Sequence, residues 1–203
     1  MKTLVLDAMG VLYEARDDVA ELLCPFIHEN GGVPDDGYIE ALYHDASLGR
    51  FSASHFWQQV RLDPALEDVY LCRHRLSSGL IEFLRSAKSL LASIWCLSND
   101  VSEWSRKLRD RFDLSRYIDG FVISGDVGAR KPDTAIFKLL LVQTGAKPEN
   151  VVLVDDRIQN LDTAAALGFQ TILFGSTSRE PMQHDAATDF VHLLGYLSSH
   201  AGI

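Results

Sequence analysis

Asp7, Ser98, Asn99, Lys131, Asp155 and Asp156 each fall at the end of a short apolar run of the chain or in the loop beyond it. Brought together, they would offer three carboxylates, a hydroxyl, an amide and one ammonium group. Carboxylate oxygens suit magnesium, a hard cation that keeps several waters and takes further oxygens from a phosphate. A lysine and a serine hydroxyl beside them suit an anionic substrate. Each residue alone also has a structural reading. Asp7 can open a turn, and Asp100 with Glu103 three residues on fits a capping box. Lys131 can be a solvated surface lysine, and Asp155 or Asp156 can cap a helix carrying Leu161 and Ala164. The joint pattern favours a site.

The elements that must position these residues are legible as patterns. The runs 3–6, 94–97, 120–123, 151–154 and 171–174 are rich in Val, Ile and Leu and continuous instead of alternating. That is the signature of parallel strands covered on both faces. Between the later runs, Val101, Trp104, Leu108 and Phe112 lie at near-helical spacing. So do Ile136, Phe137, Leu140 and Leu141, and Leu161, Ala164 and Ala165 precede Gly168 as a helix stop. The alternation predicts βαβ crossovers and an α/β fold with a doubly wound, Rossmann-like parallel sheet of about five strands. Ligands of such a sheet bind beyond the carboxyl ends of its strands, where the six residues fall.

One long interval, between the first run and the second, carries no strand pattern. Val19, Leu22, Leu23, Phe26 and Ile27 form a helical stripe ended by Gly31-Gly32, and Ile39, Leu42 and Tyr43, then Phe56, Trp57 and Val60, form further apolar faces. Leu80, Leu84 and Ala87 begin the helix that returns to the sheet. The expected division is an α/β core of residues 1–13 and 76–203 with a small helical cap domain over 14–75.

Composition narrows the function classes. The 203 residues are 47% hydrophobic and 23% charged, an ordinary globular mix. Nineteen Lys and Arg stand against 28 Asp and Glu, a formal net charge of -9, so the basic footprint that a nucleic-acid partner needs is missing. Cys24, Cys72 and Cys96 form no CxxC pair and read as small buried hydrophobes in a reducing compartment. The N-terminal apolar stretch is too short to span a bilayer and is broken by Asp7; no membrane partner and a cytoplasmic location are expected. Walker A, GxGxxG, GxSxG and HExxH sequences are all lacking, which disfavours nucleoside-triphosphate, dinucleotide, serine-hydrolase and zinc-protease chemistry.

Asp7-Ala8-Met9-Gly10-Val11-Leu12, Leu97-Ser98-Asn99, Lys131-Pro132-Asp133 and Val154-Asp155-Asp156 with Asn160 resemble the four ordered motifs of the haloacid dehalogenase-like (HAD) hydrolase superfamily. The resemblance covers the whole chain, and the family's helical cap falls where this chain has its insertion. It implies that Asp7 is a nucleophile forming an aspartyl-phosphate. It also implies Mg2+ held by Asp7, the backbone carbonyl of Met9 and Asp156. Ser98, Asn99 and Lys131 would bind the phosphoryl group, Ser98 and Lys131 acting in catalysis with Asp7. Asp155 stands where many members have glycine and would orient Lys131 or a metal-bound water.

Met9 departs from the pattern. Phosphatases of the superfamily carry a second aspartate there as general acid and base, a contribution typically worth about 10² to 10⁴ in rate. The resemblance therefore implies a magnesium-dependent phosphohydrolase of a small phosphorylated metabolite, with a good leaving group or with the proton supplied by the cap or by water. Two alternatives stay open. One is a 2-haloacid dehalogenase-like hydrolase, whose halide leaves without a proton but whose family branch works without magnesium and tends to lose the acid at the Asp156 position. The other is a catalytically silent phosphate-binding or interaction protein. A phosphonatase-like reaction needs a cap lysine, and residues 14–75 contain none. Arg16, Arg50, His55 and Trp57 are candidates for facing the cleft from the cap, but a structural reading is stronger for each: Trp57 packs the cap's own core with Phe56, and His55 lies on the surface.

Overall fold

In the computed structural model, which describes residues 1–176 and 183–200, six strands form one parallel sheet. They are β1 (Thr3–Leu6), β2 (Ser93–Ser98), β3 (Gly120–Ile123), β4 (Val151–Asp155), β5 (Gln170–Phe174) and β6 (Asp185–Ala187), in the order β3-β2-β1-β4-β5-β6. The five apolar runs are all strands. The sixth, Asp-Ala-Ala paired to β5 at the sheet edge, has no hydrophobic run to announce it, because an edge strand need not be buried on both faces.

Leu4, Val5 and Leu6 are wholly buried, as a central strand with both faces covered requires. The chain steps from β1 through β2 to β3 on one side, then returns to place β4 on the other side of β1. This reversal opens a crevice at the carboxyl end of β1.

Among the described residues, ten α-helices cover the sheet and fill the long interval: α1 (Cys24–Glu29), α2 (Asp36–Ala46), α3 (Ala53–Gln59), α4 (Glu67–Leu71), α5 (Leu80–Ala87), α6 (Ser102–Arg111), α7 (Ser124–Val127), α8 (Thr134–Thr144), α9 (Ile158–Ala166) and α10 (Phe190–His200). A π-helical turn, Val19–Leu23, leads into α1. Asp35, Ser52 and Asp133 cap α2, α3 and α8 by accepting from backbone N–H groups of the first turn. Between α1 and α4 the chain forms helices joined by short loops, with no strand. Its entry and exit are pinned side by side: Tyr13 bridges Leu76, Glu14 N–H donates to the Arg75 carbonyl (3.0 Å), and Ser77 N–H donates to the Leu12 carbonyl (2.9 Å).

The helical segment is fastened to the core through Glu67 on α4. Its Oε2 accepts from the indole N–H of Trp57 on α3 (3.0 Å) and of Trp104 on α6 (2.9 Å), while Oε1 pairs with Lys107 Nζ at 2.7 Å. Phe26, Phe56, Tyr70 and both tryptophans pack around it at ring separations of 5.1–5.8 Å. The aromatic rings supply buried area and the carboxylate satisfies both indole donors.

Two local expectations are corrected. The capping box does not form: α6 starts at Ser102, and the Asp100 carboxylate takes only the Val101 N–H (2.7 Å). Glu103 instead reaches across to accept from Ala53 N–H (3.2 Å) at the start of α3, so tertiary contact overrides the local motif. Cys24 and Cys96 are buried as expected, but Cys72 is exposed. No helix among the described residues is long and apolar enough to cross a membrane.

Candidate active site

β1, β2 and β4 end side by side and deliver Asp7, Ser98 and Asp155 to the crevice; Lys131 arrives from the loop between α7 and α8. Asp7 Oδ1 accepts from Ala8 N–H (2.6 Å) and lies 2.7 Å from Lys131 Nζ. The same ammonium lies 2.7 Å from Asp155 Oδ2. Asp155 is held in turn by Arg157 N–H (2.9 Å) and the Asn160 amide (3.0 Å to each oxygen). Lys131 is thus a buried cation between two buried carboxylates, and both acids gain the counter-charge that burial demands.

Burial is the largest influence on Asp7, followed by repulsion from Asp155; together they outweigh the attraction of Lys131 and lift its carboxyl to about 7. On Lys131 the two carboxylates outweigh burial, which keeps the ammonium charged. Burial and then Asp155 also push Asp156 up. These shifts describe a site with more negative charge than its residues alone neutralise.

Two polar atoms here are buried without a partner, Ser98 Oγ and Asp156 Oδ1. Buried polar atoms are normally satisfied, so these two are where a ligand would complete the site. One oxygen each of Asp7, Asp155 and Asp156 lies within 4.8 Å of the others, a spacing that fits one divalent cation. Asp155 is already engaged by Lys131, Arg157 and Asn160, which leaves Asp7 and Asp156 as the freer donors. Gly10 makes room for them: a Cβ there would stand 2.4 Å from Asp156 Oδ2, and its φ of +75° favours glycine in any case.

A cavity of about 860 Å³ opens over this floor. Asp7, Met9, Ser98, Asn99 and Lys131 all line it, as the sequence predicts for residues beyond the strand ends. The four candidates weighed for the helical segment do not line it, and Trp57 takes the core-packing role favoured for it. Trp57 is wholly buried in the aromatic cluster, Arg50 pairs with Asp45, His55 packs against Phe51, and Arg16 donates to the Gly175 carbonyl. The helical segment contributes Asp17, Asp18, Glu40, Tyr43 and His44 instead, and the core adds Arg130 and Arg157. The adjacency of Arg130 to Lys131 was a usable signal for the first of these core residues; nothing in the sequence singles out Asp18.

Residues 1–168 match the family of haloacid dehalogenase-like hydrolases. The chain is 45% identical over 186 residues to drimenol cyclase drtB of Aspergillus calidoustus, covering 86% of this chain and 34% of that protein, so it spans about a third of that relative's length. It is 27% identical over 186 residues to the phosphoglycolate phosphatase of Aquifex aeolicus, covering 85% of this chain and 84% of that one. Among solved structures, a HAD family enzyme of Bacteroides thetaiotaomicron in complex with magnesium and inorganic phosphate superposes with a TM-score of 0.73 at 18% identity, over 90% of this chain and 98% of the other.

Proposed function

The chain belongs to the haloacid dehalogenase-like hydrolase family, and we propose that it is a magnesium-dependent phosphohydrolase of a small phosphorylated metabolite, working through an aspartyl-phosphate on Asp7. The observation that carries this reading is the Lys131 ammonium held 2.7 Å from Asp7 Oδ1, with Ser98 Oγ and Asp156 Oδ1 unpartnered at the same strand ends. The similarity to a phosphatase along most of both chains supports it.

Asp7 Oδ1 is occupied by Lys131 and Ala8 N–H, and among the described residues Oδ2 takes no hydrogen bond. Oδ2 is therefore the oxygen that attacks phosphorus. Lys131 and the Ser98 hydroxyl bind phosphoryl oxygens, where charge builds in the transition state. Asp155, fixed by Asn160, holds Lys131 at the attacking carboxylate. Asp7, Asp156 and the Met9 carbonyl would hold Mg2+, which supplies charge neutralisation between a carboxylate nucleophile and a phosphate dianion. Water then cleaves the aspartyl-phosphate. The thioether of Met9 cannot transfer a proton, so the leaving oxygen departs as an anion, which restricts good substrates to those with acidic leaving groups. The cavity volume suits a small metabolite.

The test is turnover of p-nitrophenyl phosphate with magnesium and with a chelator, beside halide release from 2-chloropropionate. Magnesium-dependent phosphate release is expected. Metal-independent halide release would move the protein to the dehalogenase branch, and binding of phosphate without any turnover would leave a silent binding protein.

A further inference from the structure

Arg130 stands on the wall of the reaction cavity with no direct ion-pair partner among the described residues, although Asp18 and Asp100 attract it from further off. Its Nη1 is buried and has no hydrogen-bond partner, and among the described residues it forms no ion pair. The cavity's other strong cations are engaged. Lys131 serves Asp7 and Asp155, and Arg157 Nη2 lies 3.7 Å from Asp17. Arg130 stands over the face of Tyr43, 5.7 Å from the ring centroid, and burial lowers its affinity for its proton despite the attraction of Asp18 and Asp100. A buried guanidinium nitrogen with no acceptor is costly unless an anion completes it.

We propose that Arg130 clamps a second phosphate of the substrate, and that organic diphosphates cleaved at the terminal phosphorus are the substrate class of this site. The inference rests on the phosphohydrolase reading above. Lys131 and Arg130 are neighbours in sequence but serve different places: Lys131 turns to Asp7, whereas Arg130 stands over Tyr43 of α2. One thus meets the phosphoryl group under attack and the other the group beyond it. A guanidinium fork matches phosphate oxygens in pairs.

Met9 selects the diphosphate over a monoester that carries some other anion. Without a general acid, the departing oxygen must already be acidic, and an alkyl alcohol is not. A phosphate monoester has its last pKa at roughly 6 and leaves unprotonated at neutral pH. The steps balance. Asp7 Oδ2 forms a bond to the terminal phosphorus, the bridging P–O bond breaks, and its electron pair stays on the departing phosphate monoester. Water then attacks the aspartyl-phosphate, releasing inorganic phosphate and restoring the carboxylate. On the same cavity's lining, Asp18 Oδ2 is also buried without a partner. Its carboxyl, lifted to about 7 mainly by burial, can carry a proton near neutral pH and in that form can donate to a phosphate oxygen.

Ethyl diphosphate, ethyl phosphate and p-nitrophenyl phosphate, assayed with saturating magnesium and followed by phosphorus NMR, test the inference. Ethyl diphosphate should exceed ethyl phosphate in kcat/KM by about 100-fold or more, within the range of a general-acid contribution, and yield ethyl phosphate plus inorganic phosphate. Arg130→Met should lose roughly 10- to 100-fold on ethyl diphosphate, the worth of a charged hydrogen-bonding group, and far less on p-nitrophenyl phosphate, which has an acidic leaving group but no second phosphate. Arg130→Lys should recover part of the loss, and a thermal melt reports whether each variant is folded. Equal losses on both substrates, or release of pyrophosphate, would overturn the inference. Inert ethyl diphosphate beside active p-nitrophenyl phosphate would overturn it and leave the phosphohydrolase reading standing. No turnover of any of the three overturns both.

Discussion

Asn99 grips Lys131 by the backbone on both sides: its Nδ2 donates to the Lys131 carbonyl at 2.9 Å, and its Oδ1 accepts from the Lys131 N–H at 2.8 Å. The amide expected to bind substrate is thus engaged in fixing the loop whose lysine meets Asp7. The end of β2 thereby sets the position of a residue more than thirty places further along the chain.

Asn99→Ala removes both bonds and should lower kcat by about 10-fold or more, because misplacing a group held at near-attack distance costs rate steeply. Asn99→Asp should do the same, since a carboxylate cannot donate to the Lys131 carbonyl. Steady-state kinetics on p-nitrophenyl phosphate check this, and unchanged kcat in both variants would remove Asn99 from the positioning role.

Asp7→Asn should reduce turnover to background while leaving the fold intact. The amide is nearly isosteric with the acid but is a poor nucleophile and a weaker magnesium ligand. Near-wild-type rates, under conditions that exclude deamidation, would disprove the covalent route.

Met9→Asp should raise turnover of alkyl phosphates by about 10-fold or more, with about 10⁴ as the ceiling for a general acid. It should also flatten the dependence of rate on leaving-group acidity. Assays must saturate magnesium, because a further carboxylate near Asp7 and Asp156 adds repulsion. An unchanged dependence would mean that the new carboxyl does not reach the bridging oxygen.

Gly10→Ala should weaken magnesium binding by roughly 10- to 100-fold, as expected when the support of a metal ligand is disturbed. The new methyl would meet Asp156 Oδ2 at 2.4 Å on a backbone with φ of +75°, so Asp156 must move. Calorimetric titration of magnesium reads this directly; equal affinity would show that Asp156 is not a ligand.

Asp18→Asn should stabilise the protein above neutral pH. Burial, then Asp17, raises Asp18 from 3.8 to about 7, so the folded chain keeps a proton that the unfolded chain releases. Stability therefore falls as pH rises from about 4 to about 7, the window between the two values, and the loss is complete above it. The neutral amide escapes this penalty, worth a few kcal/mol at the order-of-magnitude level. Melting temperatures of both proteins across pH 4 to 8 should converge at the acidic end and diverge at the other; a constant gap would place Asp18 outside that titration.

Some of the molecule was written in the chain itself. Runs such as Val151–Val154 followed by Asp155 and Asp156 announce both a buried strand and the carboxylates at its end, because apolar continuity and strand termination are local properties. The helical interval was equally legible from the spacing of Leu23, Phe26 and Ile27. Other features were settled only by the tertiary structure. Glu103 had a local partner available in Asp100 and found Ala53 instead. Asn99 became a support for Lys131, and the helical segment lines the cavity with Asp17, Asp18, Glu40, Tyr43 and His44, none of which the sequence singled out for the cleft. Even the orphaned Nη1 of Arg130 is visible only once the wall around it is built. The physical reason is range: hydrophobic periodicity is imposed residue by residue along an element, whereas the partner of a charge, or its lack of one, depends on which distant elements the packing brings within about 3 Å.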